Sequence, residues 1–110
     1  MKKFYIIGVR DNPQLGSYLS MAKVAEAKVN KTHIRATYED LGSKQSLRFA
    51  LEEHAGVHRC ITSQKCAYGG YTYFGFSKKE NAIKELTRWS KLLTSSGKRA
   101  KEALKIFENS

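Results

Sequence analysis

The chain has 110 residues, with 41% hydrophobic and 11% aromatic content, which is the size and composition of one folded domain and excludes a disordered segment. Its 20 Lys and Arg against 10 Asp and Glu give a net charge of +10, which creates a field that attracts polyanions such as nucleic acid. No apolar stretch approaches the roughly 20 residues of a membrane span or forms a secretory signal, and two cysteines make no disulfide framework. We therefore expect a single cytoplasmic domain, residues 1–110, with no membrane partner.

The first part of the chain predicts a strand, a turn, a returning strand and a short helix. Residues 4–9 are an apolar run typical of a central strand covered on both faces. Pro13 and Gly16 mark the turn, in the segment 11–16, and residues 18–21 predict the returning strand. Residues 20–28, rich in alanine and valine, predict a helix that ends at Asn30.

The middle of the chain predicts another strand and another helix. Residues 34–39 alternate in polarity, with Ile34, Ala36 and Tyr38 on one face, as in a half-buried strand. In the segment 43–55, Leu47, Ala50, Leu51 and Ala55 recur at helical spacing, and His54 falls on the same face. We expect a helix there that Ser43 caps and Gly56 terminates.

The last part of the chain predicts two strands and two helices. Residues 57–62 indicate a short strand, Gly69-Gly70 a turn, and residues 71–76 an aromatic strand. Ser77 and Glu80 form a capping box before a helix, residues 95–97 break the chain, and a final helix follows. The apolar residues predicted to face inward are Ala82, Ile83, Leu86, Trp89 and Leu93 in the first helix and Ala100, Ala103, Leu104 and Phe107 in the second. These elements predict an α+β domain, a small antiparallel sheet covered on one face by helices, with two basic amphipathic helices in residues 78–110.

The aromatic strand runs directly into the first basic helix. Phe74 and Phe76 share one strand face and can supply the core, which leaves Tyr71 and Tyr73 on the outer face beside lysines. Two exposed rings there would form a platform on which unpaired bases stack, at about 1–3 kcal/mol per base. Tyr68 belongs to the same aromatic cluster. The alternative interpretation is ordinary packing, since aromatic residues favour strands and tyrosine often half-buries with its hydroxyl in water.

Cations recur along both predicted helices. Residues 78–110 contain nine Lys and Arg against four Asp and Glu, which is half of the total excess. The candidate phosphate contacts are Lys78, Lys79, Lys84, Arg88 and Lys91, followed by a second stripe of Lys98, Arg99, Lys101 and Lys105. Such contacts release counterions, so binding would weaken steeply with salt. The alternative is a solvated helix face, although Lys84 and Arg88 are like charges four residues apart, which a bound polyanion would explain.

Evidence for catalysis or a cofactor is sparse. His54, His58, Cys60 and Cys66 are chemically suitable zinc donors, but their H-x3-H-x-C-x5-C spacing matches no standard zinc motif. Nucleotide-binding loops and nucleophile elbows are absent, so we expect no cofactor. A histidine-dependent nuclease could draw on His33, His54 or His58 as acid and base, yet the spacing selects no pair.

Two stretches carry a resemblance. The strand at residues 4–7, followed by Arg10 and by N-P-Q-L-G-S-Y at residues 12–18, resembles the opening of small uncharacterised tailed-bacteriophage proteins. The segment Y-G-G-Y-T-Y-F-G-F-S at residues 68–77, with Glu80 after it, is similar to their later aromatic strand and capped helix, and A-E-A-K at residues 25–28 is similar to the lysine-rich helix between. Residues 31–67 and the helix after Gly97 lie outside this likeness, which covers less than half of the chain. The resemblance implies a phage-encoded accessory protein acting in the host cytoplasm, and it transfers no functional residue.

These observations favour a non-enzymatic protein that binds nucleic acid, either RNA or single-stranded DNA, through the tyrosines and the basic helices. The alternative is an inhibitor that docks on an acidic host protein, such as an enzyme, a toxin or a defence factor, with RNA as an optional bridge. The second alternative is the small nuclease. Neither a helix-turn-helix nor a zinc finger is recognisable, so the sequence indicates no base preference.

Overall fold

The computed structural model of the chain describes residues 2–14, 16–62, 65–66 and 69–110, with the backbone alone at residues 65, 66 and 69. The elements are β1 (Lys2–Asn12), β2 (Gly16–Val29), β3 (Ile34–Asp40), β4 (Ser43–His54), β5 (Val57–Cys60), β6 (Lys65–Cys66), β7 (Gly69–Phe76), α1 (Lys79–Ser90) and α2 (Ser95–Glu108). Strands β1 to β5 pair in chain order, β5 pairs with β7, and β7 pairs with β1. Every pairing is antiparallel. Because β7 pairs with β1, the described strands close a six-stranded barrel, and β6 adds to β7 outside it.

This architecture corrects the expected fold class. The α+β prediction of a small antiparallel sheet covered by helices is wrong, because the sheet closes on itself and strands account for more than half of the residues. The two predicted C-terminal helices are present, and they pack against one side of the barrel. The error arises in the first half of the chain, where two segments predicted as helices are strands.

Residues 20–28 belong to β2 and not to a helix. Ala25 and Ala27 are buried while Glu26 and Lys28 are exposed, which is the two-residue period of a strand. The pattern was obscured because alanine has the highest helix propensity and the smallest side chain. Inside a narrow barrel that small size is useful, since these alanines lie in the same cluster as Phe4 and Phe49.

Residues 43–54 form β4, so the predicted helix is wrong there too. Leu47 and Phe49 point into the barrel, and Arg48 between them is exposed. Gly56 does not end a helix. With Ala55 it makes the two-residue turn between β4 and β5, in which both residues have positive φ, as Leu41 and Gly42 do between β3 and β4. Positive φ at both central residues is the geometry of the type I′ hairpin turn.

Several predicted elements are confirmed. Residues 4–9 lie in β1 and are buried on both faces, and β3 alternates with Ile34, Ala36 and Tyr38 inside. The turn after β1 is present, with Gly16 at a φ of 77°, while Leu15 lies outside the described residues. The returning strand at residues 18–21 is part of β2, and residues 57–60 form β5.

The details around the helices differ from prediction in three places. Gly69-Gly70 begins β7 and is not a turn. Helix α1 starts after Lys78 without a side-chain cap, because the Ser77 hydroxyl lies 3.2 Å from His58 Nε2 instead. Leu93 is fully exposed in the connection between the helices, and residues 95–97 belong to the first turn of α2 rather than to that connection.

Two apolar clusters lie on the two sides of the barrel wall. The inner cluster fills the barrel and includes Phe4, Ile6, Ile34, Leu47, Phe49 and Tyr73. The outer cluster joins the wall to the helices and includes Tyr5, Ile7, Phe76, Leu86, Ala100 and Phe107. Successive residues of β1 therefore serve different clusters. The helices cover β1, β7 and the first half of β2, and they leave the outer face of β3 and β4 open.

Helix α2 is attached to β2 by polar contacts as well as by packing. The pairing of β1 with β2 is irregular between Gly8 and Val9, and Leu19 lies beyond the residues that β2 pairs with β3. The buried Ser96 hydroxyl accepts a hydrogen bond from the Leu19 N–H at 3.0 Å, and the Arg99 guanidinium donates to the Leu19 carbonyl at 2.9 Å. Both backbone groups of Leu19 are thus satisfied by the helix.

Candidate nucleic-acid interface

Tyr71 and Tyr73 lie on the inner face of β7. Phe74 and Phe76 face the helices, so the two strand faces separate as predicted, but both faces are covered. Tyr73 is only 8% exposed, which makes the predicted exposure of its ring wrong. The reason is barrel closure: the face that would be open on a one-layer sheet becomes the interior when β7 pairs with β1. Tyr68 lies outside the described residues.

The environment of the tyrosines is that of a packed cluster. Their rings stack with centroids 6.0 Å apart, and the Arg10 guanidinium lies over Tyr71 at 5.2 Å from the ring centroid. Burial raises the pKa of Tyr73 to about 12, and it also raises the pKa of Tyr38 nearby. Tyr71 is half-buried under Arg10, so Tyr71 and Tyr73 do not form a pair of exposed rings on which two bases could stack.

Some cations of the first predicted stripe form an ion pair or a hydrogen bond, and others are exposed without one among the described residues. Lys78, Lys84 and Lys91 are exposed, with no ion pair among the described residues. Arg88 is exposed but donates to Glu85 Oε1 at 2.7 Å, which reduces its repulsion with Lys84. Lys79 is half-buried and its ammonium donates to the Ser110 carbonyl at 2.8 Å, beside the C-terminal end of α2.

The second stripe divides in the same way. Lys98, Lys101 and Lys105 are exposed along α2 and make no ion pair within the described part of the chain. The Arg99 guanidinium donates a hydrogen bond to the Leu19 carbonyl, which gives Arg99 a structural role. Except for Lys79, the lysines predicted to contact phosphate are therefore exposed on or beside the two helices. Lys79 and Arg99 instead make contacts within the fold.

The described histidine and cysteine side chains do not assemble into a metal site. His54 is exposed at the end of β4, whereas His58 is buried, with Nδ1 3.0 Å from the Ala50 carbonyl and Nε2 3.2 Å from the Ser77 hydroxyl. Because a carbonyl only accepts, Nδ1 carries the proton and both ring nitrogens are occupied. Cys60 packs against the inner cluster, where burial raises the pKa of its thiol. The side chain of Cys66 lies outside the described residues, among which no group of three such ligands is placed to hold a metal.

A third group of cations lies on the open face of the barrel. Lys28 on β2 is the register partner of Arg35 on β3, and Arg35 is the register partner of Arg48 on β4. All three are exposed, and each is adjacent in its strand to a residue buried inside the barrel. We name these three residues the cation row. Their side chains form no ion pair or hydrogen bond with any described residue.

The cation row does not follow from the sequence patterns. The alternation at residues 34–39 correctly predicts Arg35 on the outer face of a strand, but Lys28 and Arg48 fall in segments predicted as helices, where no strand register connects them to Arg35. The usable signal was the alternation of small or apolar residues with charged ones at residues 25–28 and 46–49. Once both segments are interpreted as strands of one antiparallel meander, the register follows from the short turns.

Neither helix in the described part of the chain is long and apolar enough to cross a membrane. Comparison with protein-family models, with curated proteins and with solved structures finds no match to the chain.

Proposed function

We propose that the protein binds nucleic acid through its phosphate backbone. The observation that supports this is the distribution of charge: the chain has ten more cations than anions, yet the described residues form only two ion pairs, Lys23 with Asp40 and Arg88 with Glu85. Most of the described cations are exposed and make no ion pair with a described residue. A surface of this kind attracts a polyanion over several ångströms and gains free energy by releasing its counterions.

Base stacking by tyrosines, which the sequence predicts, is not part of the proposed function. The preference for RNA or single-stranded DNA depended on two exposed tyrosines, and Tyr73 is buried. We therefore propose phosphate contact without base stacking, and no catalytic step. The setting we propose is the cytoplasm, that of the host cell if the protein is phage-encoded.

The first experiment is to purify the protein from bacteria without nuclease and to measure its binding to a labelled 20-nucleotide RNA, the matching DNA and their duplexes by fluorescence anisotropy. We expect co-purifying nucleic acid that high salt removes, and an affinity that falls linearly on a log–log plot against salt. A protein that binds none of these probes at low salt would contradict the proposal. A nuclease-resistant stoichiometric complex with one host protein would instead support the inhibitor alternative, in which the cations meet an acidic protein surface.

A further inference from the structure

We propose that the cation row, Lys28, Arg35 and Arg48, is the principal phosphate-binding site, and that its ligand is the backbone of one nucleic-acid strand contacted without regard to base sequence. This inference rests on the proposed function and specifies where it takes place. None of the three residues was among the contacts that the sequence predicted.

Like charges oppose one another along the cation row. Directly opposed residues on antiparallel strands have Cα atoms about 4.5–5.5 Å apart, and like charges in such pairs are destabilising. Here Arg35 has a cation opposite it on both neighbouring strands. Within the described residues no acidic side chain pairs with any of the three. An anion bound along the row would remove this repulsion.

The cation row lies on an anchored part of the sheet. The register between β2 and β3 and between β3 and β4 is regular across the row, without a bulge at these positions. The strands are anchored from the inside by the buried residues Ala27, Ala36 and Leu47. The backbone of the row is thus fixed before binding, so less ordering entropy opposes the contact than on a mobile loop. Neighbouring strands lie about 4.8 Å apart, so the row is roughly 10 Å long and matches two or three successive phosphates.

The residues around the cation row complete the surface that a ligand would contact. The next outward register position holds Glu26, Thr37 and Ser46. The hydroxyl oxygens of Thr37 and Ser46 are 3.2 Å apart and can donate to a phosphate, whereas the exposed Glu26 carboxylate borders the row on its β2 side. The tyrosine and the phenylalanine of β3 and β4, Tyr38 and Phe49, both point into the barrel. On these two strands a ligand therefore finds cations for phosphates and no tyrosine or phenylalanine ring for a base. This is why we infer binding that ignores sequence.

Two charge-matched variants separate this surface from the helices. The first is Lys28→Gln with Arg35→Gln and Arg48→Gln, and the second is Lys84→Gln with Arg88→Gln and Lys91→Gln. Both remove three exposed cations. For single-stranded RNA, loss of three phosphate contacts should reduce the slope of log affinity against log salt by about 2. We expect this reduction in the first variant, a change below about 0.7 in the second, and equal affinities of the wild-type protein for oligo(A) and oligo(U) within about threefold.

A slope reduced equally in both variants, or more in the helix variant, would overturn the inference and leave the proposed function standing. Failure of the wild-type protein to bind any nucleic acid would instead overturn the proposed function. Circular dichroism and the melting temperature test whether each variant is folded. Arg35→Lys adds an independent readout because it keeps the charge: it should retain the wild-type slope, whereas Arg35→Gln alone should lose about 0.7. A slope unchanged in Arg35→Gln contradicts the inference.

Discussion

Gly75 lies on β7 where two phenylalanine rings of the inner cluster meet the backbone. A Cβ atom at this position would be 2.5 Å from Phe4 Cζ and 2.7 Å from Phe49 Cδ1, closer than real contacts allow. Because both rings are fully enclosed, they cannot move aside without opening the barrel. We expect Gly75→Ala to lower the free energy of unfolding by about 1–3 kcal/mol, measured by urea denaturation. Gly70→Ala, on the same strand with no described atom within 4 Å of the Cβ position, is the control; an equal loss in both would contradict the packing argument.

Leu41 is the first central residue of the β3–β4 turn. It has a φ of 51° and is 99% exposed, so it carries backbone strain and makes no packing contribution. Asparagine tolerates this conformation and is preferred there before glycine. Leu41→Asn should therefore raise the free energy of unfolding by about 0.5–1 kcal/mol. Leu93→Asn is the control, because Leu93 is as exposed but has no positive φ; a gain of the same size there would refute turn strain as the cause.

At the scale of the element, the sequence predicts the strands and helices that have strong local patterns and fails where propensity opposes the pattern. The apolar β1, the alternating β3 and both C-terminal helices were predicted correctly. The second half of β2, which is rich in alanine, and β4, whose apolar residues happen to fall at helical spacing, were predicted as helices. Strand formation in both depends on neighbours distant in sequence. Leu51 illustrates the accident: it completed the predicted helix face but is 37% exposed on the strand.

The same long-range effect determines what could be predicted of the candidate site. Exposed lysines on α1 and α2 follow from helical periodicity alone. Burial of Tyr73 and alignment of the cation row both depend on strand pairing, Tyr73 through the closure of β7 on β1 and the row through the register of β2, β3 and β4. A single strand cannot show which of its faces lies inside a barrel.

One buried hydroxyl contributes to the attachment of α2 to β2. Ser96 is 3% exposed and accepts the Leu19 N–H, which has no strand partner on that side among the described residues. Ser96→Ala would leave this N–H buried and unsatisfied. We expect a loss of about 1–3 kcal/mol in the free energy of unfolding, measured by urea denaturation. Ser95→Ala, at the exposed neighbouring position, should cost much less; similar costs would mean that helix initiation rather than the Leu19 contact matters.

Two cations on the same barrel face should have opposite effects on stability, because one lies opposite cations and the other opposite an acid. Arg35 lies between Lys28 and Arg48, whereas Lys44 is the register partner of Glu39. In the absence of nucleic acid, Arg35→Gln should raise the free energy of unfolding by about 0.5 kcal/mol, and Lys44→Gln should lower it by a similar amount. Thermal melts at low salt measure both. A decrease in Arg35→Gln would mean that its aliphatic stem stabilises the strand more than its charge strains it.

Across the whole molecule, the surfaces that pack helices against the barrel are separate from the surfaces that carry cations. The helices bury one side of the barrel and their polar faces carry lysines, while the open side carries the cation row. Cations therefore lie on both sides of a chain whose longest dimension is 40 Å. Over such distances the repulsion among them acts mainly at low ionic strength, because the screening length is about 10 Å at 0.1 M salt and about 3 Å at 1 M.

Self-repulsion of this kind makes stability depend on salt. A net charge of +10 favours expansion of the chain, so added sodium chloride should stabilise the folded state by screening. We expect the melting temperature to rise between about 0.02 and 0.5 M salt, by several degrees if screening contributes about 1 kcal/mol. A polyanion should produce the same rise at far lower ionic strength, since binding to the folded state adds its own free energy. A short RNA at micromolar concentration in about 0.02 M salt is the decisive addition, with an equal concentration of mononucleotide as the control. If the RNA lowered the melting temperature, the cations would be meeting the unfolded chain more strongly than the barrel, and the folded surface would not be the site of binding.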